Sequence, residues 1–247
     1  MRTTSAGLPP WGGARSRETG SNVRDPGVKH DCSAVMEFER QPDGTLVNGL
    51  GEAVEVESEY VYPLLKSTDL AHGRSSAVRK WLLVSQSRPG EDTAVIAARA
   101  PKTWTYLCAH GQQLDDRRSS IYRKRPRFSV FGVGPYTFSP WKVAISGLHK
   151  KLDFKVVGPI EDRPVVFDDT CYHLSFDTAD AARLAADLLN ADCSRELLTS
   201  LIFWDAKRPI TIDVVQRLDL RNVAASLGRL DQFDASLQAV PPSCSTL

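Results

Sequence analysis

The middle of the chain carries five short apolar runs separated by turn residues, and one long amphipathic pattern follows them. The pattern is an i, i+3, i+4, i+7, i+8 repeat of Ala and Leu over residues 181–189, behind Thr178, which can cap a first helical turn. Short apolar runs bounded by turns are typical of consecutive strands. Strands followed by helices predict an α+β fold, with a mixed or antiparallel sheet packed against several helices. The apolar runs are residues 128–133, 143–145, 154–157, 165–167 and 171–174.

Further elements flank this region. A turn at residues 41–44 (QPDG) lies between two apolar segments and predicts a hairpin. Residues 81–85 have the composition of a strand, and residues 102–114 that of a helix. Toward the C-terminus, Ser194 is expected to cap a helix through Ile202, and Thr211 to start another through Leu218.

The two ends of the chain lack this patterning. Residues 1–22 and 227–247 are rich in Gly, Ser, Pro or polar residues and are expected to be disordered tails around one domain at 23–226. No apolar run reaches the roughly 20 residues of a membrane-spanning helix, and no secretory signal precedes the domain. The five cysteines form no CxxC pair. These features predict a soluble, cytoplasmic protein with reduced thiols.

The net charge of +1 hides a strong polarisation along the chain. Residues 117–151 contain nine Lys or Arg and no Asp or Glu, so the rest of the chain holds 22 of the 31 basic and all 30 acidic residues. Residues 31–60 are the opposite, with eight acids and Arg40 as the only base.

The basic segment at residues 117–127 interleaves cations with hydroxyl groups, and aromatic residues follow it. Backbone phosphates require several cations, and planar or bidentate groups read base edges, so this composition predicts nucleic-acid binding. The alternative is a solvated basic loop beside an apolar strand. Phosphate contacts are assigned mainly to Arg117, Arg118, Arg123, Lys124, Arg125 and Arg127, and base or sugar contacts to Tyr136 and Trp141.

A second basic pair, Lys207 and Arg208, lies just before the helix predicted to start at Thr211. A helix N-terminus attracts anions, so this pair could form another phosphate contact. Alternatively, it forms a surface ion pair with Asp205.

Two short motifs imitate those of methyltransferases but lack the required context. Residues 131–134 (FGVG) resemble a glycine turn that binds S-adenosylmethionine, yet residues 135–140 cannot open the helix that such a site needs. Residues 8–11 (LPPW) resemble a catalytic Pro-Pro-aromatic loop, but Leu8 replaces the polar acceptor. We therefore predict no catalytic residue in this chain.

No metal site is predicted either. Asp153 with Lys155, and Asp168 with Asp169, resemble parts of a nuclease site, but two-metal chemistry needs clustered acids, and a turn is the favoured interpretation of residues 168–169. The pairs His30/Cys32, Cys108/His110 and Cys171/His173 do not have the spacing of a zinc site, so buried thiols and hydrogen-bonded imidazoles are expected.

Several blocks of residues, in order, resemble a known family. They are 29–32 (KHDC), 35–37 (VME), 62–67 (YPLLKS), 118–122 (RSSIY), 141–147 (WKVAISG), 168–172 (DDTCY) and 200–209 (SLIFWDAKRP). Over about residues 27–222 the chain is similar to the C-terminal target-recognition region of bacterial DNA adenine-N6 methyltransferases, including the TaqI-like specificity domain of restriction-modification enzymes.

The resemblance implies sequence-selective binding of double-stranded DNA and positioning of an adenine for base flipping. It also implies a catalytic methyltransferase domain or subunit as partner, which would bind S-adenosylmethionine, whereas no cofactor is expected in this chain. Through it, Lys66, Lys142, Lys207 and Arg208 become candidates for either DNA contact or domain packing. Two rival functions remain: a minimal methyltransferase, and a protein-interaction subunit whose acidic residues 31–60 dock a basic partner.

Overall fold

The computed structural model describes residues 25–74 and 78–238. The predicted tail at 1–22 and residues 239–247 lie outside the described residues. Strands and helices are both abundant, and the prediction of an α+β fold is confirmed. Within the described residues, no helix is both long and apolar enough to cross a bilayer.

The strands form two sheets, where the sequence predicted one. The first has the order β4-β3-β2-β6-β5-β9 and is antiparallel except for the pair β5 and β9; the second has the order β1-β10-β7-β8 and is antiparallel. In chain order the strands are β1 (Asp25–Pro26), β2 (Glu37–Arg40), β3 (Leu46–Asn48), β4 (Ala53–Val54), β5 (Val61–Leu65), β6 (Lys80–Leu83), β7 (Trp141–Ser146), β8 (Lys155–Val157), β9 (Val166–Phe167) and β10 (Cys171–Phe176).

One predicted strand, at residues 128–133, is not formed. Phe128 has a φ of 68°, which interrupts an extended backbone, and only Phe131 forms an isolated bridge, to Lys29. Phe128, Val130 and Val133 are buried in the first core. The run is apolar because its side chains fill this core, although the backbone belongs to no sheet. The predicted hairpin is confirmed as β2 and β3, which pair around the turn at residues 41–44.

In chain order, some of the helices precede the basic segment, and the others follow the last strand. The helix predicted at residues 102–114 is interrupted at His110. The helices are α1 (Ser33–Met36), α2 (Ser67–Ala71), α3 (Ile96–Arg99), α4 (Pro101–Ala109), α5 (Gly111–Asp115), α6 (Ala179–Asn190), α7 (Asp192–Leu201), α8 (Ile212–Val215), α9 (Leu220–Ser226) and α10 (Leu230–Gln238).

The start of α6 follows the sequence prediction, whereas the start of α7 does not. The Thr178 hydroxyl accepts a hydrogen bond from the Ala181 amide at 3.2 Å, as an N-cap should. Ser194 is not the predicted cap, because it lies inside α7 and its hydroxyl donates to the Leu188 carbonyl at 2.6 Å. It therefore ties the beginning of α7 to the end of α6.

The C-terminal part contains more helix than predicted. Thr211 caps α8 as expected, but α8 ends at Val215, and Asp219 then caps α9. Residues 230–238, expected to belong to a disordered tail, form α10, and Phe233 of α10 is buried. The ordered part of the chain thus extends beyond residue 226.

Two large apolar cores and a small one hold these layers together. The first contains residues from the six-stranded sheet and from α3 to α5, and the second packs α6 to α10 against β7, β8 and β10. The third cluster includes Leu65, Val165 and Phe167 from one side and Ala144 and Cys171 from the other. It joins the two sheets and so fixes the loops that meet between them.

Candidate nucleic-acid interface

The basic segment at residues 117–127, called the basic loop below, is joined to the beginning of the described chain by a short backbone ladder. Lys29 and Phe131 exchange two hydrogen bonds, with N···O distances of 2.8 and 2.9 Å. The Val28 amide donates to the Phe167 carbonyl at 2.6 Å. This ladder brings together three segments that are far apart in sequence: residue 131 just after the basic loop, residues 28–29, and residue 167 just before the turn at 168–170.

Arg117 anchors the basic loop from inside. Its Nε donates to the Leu114 carbonyl at 2.7 Å, and its Nη1 donates to the carbonyls of Ser129 at 2.7 Å and His30 at 3.2 Å. The guanidinium carbon lies 3.6 Å from the centroid of the Tyr122 ring. Burial is the main cause that lowers the pKa of Arg117. These contacts favour a role in holding the loop over the predicted phosphate contact, because the guanidinium already donates to three carbonyls.

The backbone of the basic loop is also held firmly. A 3-10 turn spans Ser120–Tyr122, and Lys124 and Phe128 have φ angles of 61° and 68°, in the left-handed region that non-glycine residues rarely adopt. Phe128 is fully buried, and the Ser85 hydroxyl donates to its carbonyl at 2.6 Å. This packing stabilises an uncommon conformation and gives the exposed cations a defined position.

Four cations of the basic loop point into solvent. Within the described part of the chain, none of them forms an ion pair with a carboxylate; Arg125 lies 5.8 Å from the centroid of the Phe131 ring. A cluster of unpaired cations on a rigid loop is suited to bind a polyanion. They are Arg118, Arg123, Lys124 and Arg125.

Arg127, in contrast, has an acidic partner from outside the basic loop. Its Nε and Nη2 both donate to the Asp115 carboxylate, the shortest distance being 2.7 Å. The hydrogen bond from Arg127 to Asp115 raises the pKa of the guanidinium. This ion pair competes with a phosphate for the guanidinium, so the predicted phosphate contact of Arg127 loses support.

Lys66 belongs to a cluster around a buried carboxylate. Glu37 is 3% exposed and lies 2.6 Å from the Lys66 Nζ and 3.3 Å from the His30 Nε2. Burial alone would raise the pKa of Glu37, but hydrogen bonds from His30 and Lys66 and the charge of Lys66 lower it to about 2. The Cys32 amide donates to the His30 Nδ1, which assigns the ring proton to Nε2. This ion pair favours a packing role for Lys66 over the predicted DNA contact.

The two acids at 168–169 have different roles. The Asp168 carboxylate accepts hydrogen bonds from the Thr170 hydroxyl and amide and closes a turn, as expected. The Ser67 hydroxyl donates to the Thr170 carbonyl at 2.8 Å, which attaches this turn to α2. Burial raises the pKa of the neighbouring Cys171 thiol well above its usual value. These residues form a structural cluster rather than a pair of metal ligands.

Asp169 instead faces the surface, between two cations. Its Oδ2 lies 3.7 Å from the Lys29 Nζ and 3.8 Å from an Arg208 guanidinium nitrogen. Lys29 also contacts Asp31, at 2.6 Å. Lys207 is exposed and has no carboxylate within ion-pair distance in the described residues. The structure thus brings Arg208 and Lys29 together on either side of Asp169. Lys29 and Asp169 lie in two of the blocks that resemble the family, but nothing in the local sequence marks their proximity to each other or to Arg208.

Tyr136, Trp141 and Lys142 are placed in the packing of the second sheet. Lys142 is 1% exposed and its Nζ donates to the Ser139 carbonyl at 2.6 Å, which favours the packing alternative over DNA contact. Trp141 is half-buried, and a Cβ on Gly158 would lie 2.6 Å from its ring. Tyr136 packs on the ring of His173. Both aromatic residues thus contribute to packing, and their predicted base contacts lose support.

Of the imidazoles in the three His/Cys pairs, only that of His173 lacks hydrogen-bond partners among the described residues. It is 2% exposed, and neither ring nitrogen has a hydrogen-bond partner among the described residues. Burial, followed by the charge of Lys142, lowers its pKa well below the usual value. The imidazoles of His30 and His110 are hydrogen-bonded as expected, but the Cys108 thiol is exposed rather than buried.

The described residues contain no group of three or more His, Cys, Asp or Glu that could hold a metal ion. Asp153 pairs with Lys151 at 2.7 Å and Lys155 at 2.9 Å. Asp153 and Lys155 resemble part of a nuclease motif in the sequence. In the structure they form an ion pair with each other.

The glycine turn at residues 131–134 leaves no room for a nucleoside. A Cβ on Gly132, whose φ is 63°, would lie 2.2 Å from the Gly27 carbonyl oxygen, and one on Gly134 would lie 2.6 Å from the Tyr136 ring. The next residues form a short 3-10 turn, Pro135–Phe138. The glycines allow close backbone packing, and these residues do not fit S-adenosylmethionine. The other imitated motif, at residues 8–11, lies outside the described residues.

Acids of residues 31–60 mostly bind other parts of the chain. Glu52 accepts from the His110 ring at 2.7 Å. Glu57 accepts from the amide and hydroxyl of Thr103, at 2.7 and 2.6 Å, and so holds the beginning of α4. This acidity is therefore largely used in folding, which weakens the alternative of an acidic docking surface.

The chain is 48% identical over 198 residues to the Type II methyltransferase M.NspV of Nostoc sp. (strain ATCC 29411 / PCC 7524). The match covers 80% of this chain and 41% of that protein, so the chain spans about two fifths of the length of its relative. No family model matches the chain. Among solved structures, a match of 10% identity and TM-score 0.36 covers 90% of this chain and 36% of the Type IIL restriction-modification enzyme MmeI, solved in complex with DNA.

Proposed function

We propose that this chain is the DNA target-recognition part of an adenine-N6 methyltransferase of a restriction-modification system. Its surface binds double-stranded DNA and presents an adenine to a catalytic domain or subunit. The similarity to a Type II methyltransferase supports the assignment to a restriction-modification system. The resemblance of residues 27–222 to target-recognition regions supports the role in DNA recognition.

The observation that carries the proposal is the basic loop. Arg118, Arg123, Lys124 and Arg125 are exposed, unpaired with described carboxylates and mounted on a firmly held backbone. Surface cations are usually paired or scattered. A cluster of cations on one rigid loop attracts phosphates and releases their counterions on binding. Lys29 and Arg208 flank Asp169 at the turn at 168–170, and Lys207, next to Arg208 in sequence, is exposed.

The proposal assigns catalysis to a partner. The matched region is 41% of the relative, which leaves the larger part of that methyltransferase without a counterpart in the match. S-adenosylmethionine is assigned to this catalytic partner, because the glycine turn of this chain is filled by its own backbone and Tyr136. The residues of this chain would supply binding energy and orientation, and the partner the methyl transfer.

The test is the salt dependence of duplex binding. Fluorescence anisotropy with a labelled random duplex at several salt concentrations gives the slope of log K against log[salt]. Each cation lost from a phosphate contact reduces this slope by about 0.9. The double variant Arg123→Glu/Arg125→Glu is therefore expected to bind more weakly and to flatten the slope by about 2.

A matched control carries the same change in charge elsewhere. Arg183→Glu/Arg195→Glu alters two exposed arginines on α6 and α7, outside the basic loop. This control should keep the slope of the wild type. An unchanged slope in the loop variant, or an equal loss in both variants, would exclude the basic loop from the interface.

A further inference from the structure

The turn at 168–170 places the carboxylate of Asp169 next to Lys29, whose backbone pairs with Phe131 just beyond the basic loop. Asp169 is about one third exposed, with 34% of its side chain accessible, and lies between Lys29 and Arg208. Most exposed acids would weaken binding at such a position, because they repel phosphates. An acid beside a DNA-binding surface can instead accept a hydrogen bond from a donor of the ligand.

The backbone around Asp169 is held on both sides. The preceding carboxylate of Asp168 binds the Thr170 hydroxyl, and the Ser67 hydroxyl binds the Thr170 carbonyl. Arg208 Nη1 lies 3.4 Å from the Asp169 carbonyl oxygen, so the same guanidinium contacts the backbone and approaches the side chain. The position of the carboxylate relative to Arg208 is thus defined by the fold.

The carboxylate nevertheless keeps its acceptor sites. The distances of 3.7 Å to Lys29 and 3.8 Å to Arg208 allow charge attraction but exceed a hydrogen bond. Within residues 25–74 and 78–238, no group donates a hydrogen bond to it. Asp31 differs, since it contacts the Lys29 Nζ at 2.6 Å. Asp169 is therefore a fixed acceptor beside a fixed guanidinium donor.

This arrangement is complementary to the major-groove edge of a G·C pair. In the major groove, guanine presents two acceptors, N7 and O6, and its partner cytosine presents the N4 amino donor beside them. We propose that Asp169 and Arg208 together read a G·C pair, Asp169 accepting from the cytosine N4 amino group and Arg208 donating to guanine N7 and O6. Lys29 offsets the charge of Asp169 against neighbouring phosphates. This inference rests on the proposed function and assigns part of its sequence specificity.

The test first selects preferred duplexes from a randomised library with the wild-type chain. Within the selected sequence, each cytosine is replaced in turn by a 2-pyrimidinone nucleotide, which lacks the 4-amino group, and each guanine by 7-deazaguanine, which lacks N7. At one G·C pair, the cytosine replacement should weaken wild-type binding between about 5-fold and about 150-fold.

The variant Asp169→Ala should bind the two forms of that cytosine equally well, and Arg208→Ala should lose the effect of 7-deazaguanine at the same pair. Asp169→Ala is also expected to bind random duplex at least as tightly as the wild type, because a repulsive charge is removed. Asp234→Asn is the matched control: Asp234 has a side-chain exposure of 33% and pairs with an arginine, Arg221, on the C-terminal helices. This control should keep the full effect of both base analogues.

The outcomes separate the two proposals. If the wild type does not bind duplex DNA, the proposed function fails. If it binds with a sequence preference that Asp169→Ala retains in full at every G·C pair, only the assignment of Asp169 and Arg208 is overturned. A loss of discrimination spread over all positions in Asp169→Ala would also overturn it, because it would indicate a structural role.

Discussion

Buried charge at single residues organises the surface on which the proposed function depends. Glu37 is buried, pairs with Lys66 and accepts a hydrogen bond from the His30 ring. The backbone carbonyl of His30 accepts a hydrogen bond from Arg117. A buried carboxylate requires such partners, because an unpaired charge in a protein interior costs several kcal/mol. The cluster therefore connects the first sheet to the anchor of the basic loop.

The variant Glu37→Gln is expected to change the pH dependence of stability. The pKa of Glu37 is about 2 in the folded chain, against an ordinary value of 4.5, so its ionised form favours folding above about pH 4.5. The contribution, on the order of 3 kcal/mol, is lost as the pH falls from about 4.5 toward 2. Urea unfolding at several pH values should show the difference between wild type and variant shrinking over that range.

The control for this prediction is Glu55→Gln, which changes a carboxylate whose side chain is 85% exposed. Its unfolding free energy should stay within about 0.5 kcal/mol of the wild type at each pH. A Glu37→Gln variant that follows the control would show that the buried cluster contributes nothing to stability.

At the scale of elements, the C-terminal helices show where local patterns suffice and where they do not. The periodicity of residues 181–189 and the cap at Thr178 predict α6, because both signals are contained in one stretch of chain. Helix α10 has only a few apolar residues in a polar stretch, and it is stabilised by packing on α6 and α9. Short amphipathic helices gain most of their stability from such contacts.

Phe233→Ala is expected to destabilise this helical layer by about 3 kcal/mol, because it removes a buried aromatic side chain and leaves a cavity. Urea unfolding followed by circular dichroism measures the change. Gln232→Ala, at an exposed position of the same helix, serves as control and should cost less than about 0.5 kcal/mol. A cost below about 1 kcal/mol for Phe233→Ala would mean that α10 does not belong to the core.

At the scale of the whole molecule, a cluster of cations unpaired among the described residues lies in the basic loop, whereas many acids elsewhere are paired within the chain. The basic loop keeps four exposed cations. Acids of residues 31–60 have partners within the chain: Glu52 binds His110, and Glu57 binds Thr103 in α4. A molecule with such an arrangement attracts a polyanion to one region of its surface despite a net charge of only +1.

Methyl transfer is expected only when this chain is combined with a catalytic partner. The probe is the part of M.NspV that this chain does not match, mixed with the full chain, duplex DNA and methyl-labelled S-adenosylmethionine. The mixture should label the DNA, and each protein alone should not. Adding Arg123→Glu/Arg125→Glu instead of the wild type should reduce labelling. Labelling by this chain alone would establish the minimal methyltransferase instead.

Much of the fold could be predicted from sequence, but less of the candidate site. The hairpin of β2 and β3 and helix α6 were predicted because turn residues and side-chain periodicity act over a few positions. The run at residues 128–133 was misinterpreted as a strand, because burial makes a segment apolar whether or not its backbone pairs. The single predicted sheet became two, because strand pairing is decided between residues far apart in the chain.

The sequence by itself determined the α+β class, the main helix and a basic segment without carboxylates. Only the tertiary structure decided which cations of that segment remain available. Arg127 is paired with Asp115, Lys66 with Glu37, and Lys142 is buried, and each of these outcomes depends on an approach between distant parts of the chain. Composition sets the charge of a segment, whereas long-range packing sets its partners and its exposure to water, and a binding surface depends on the latter.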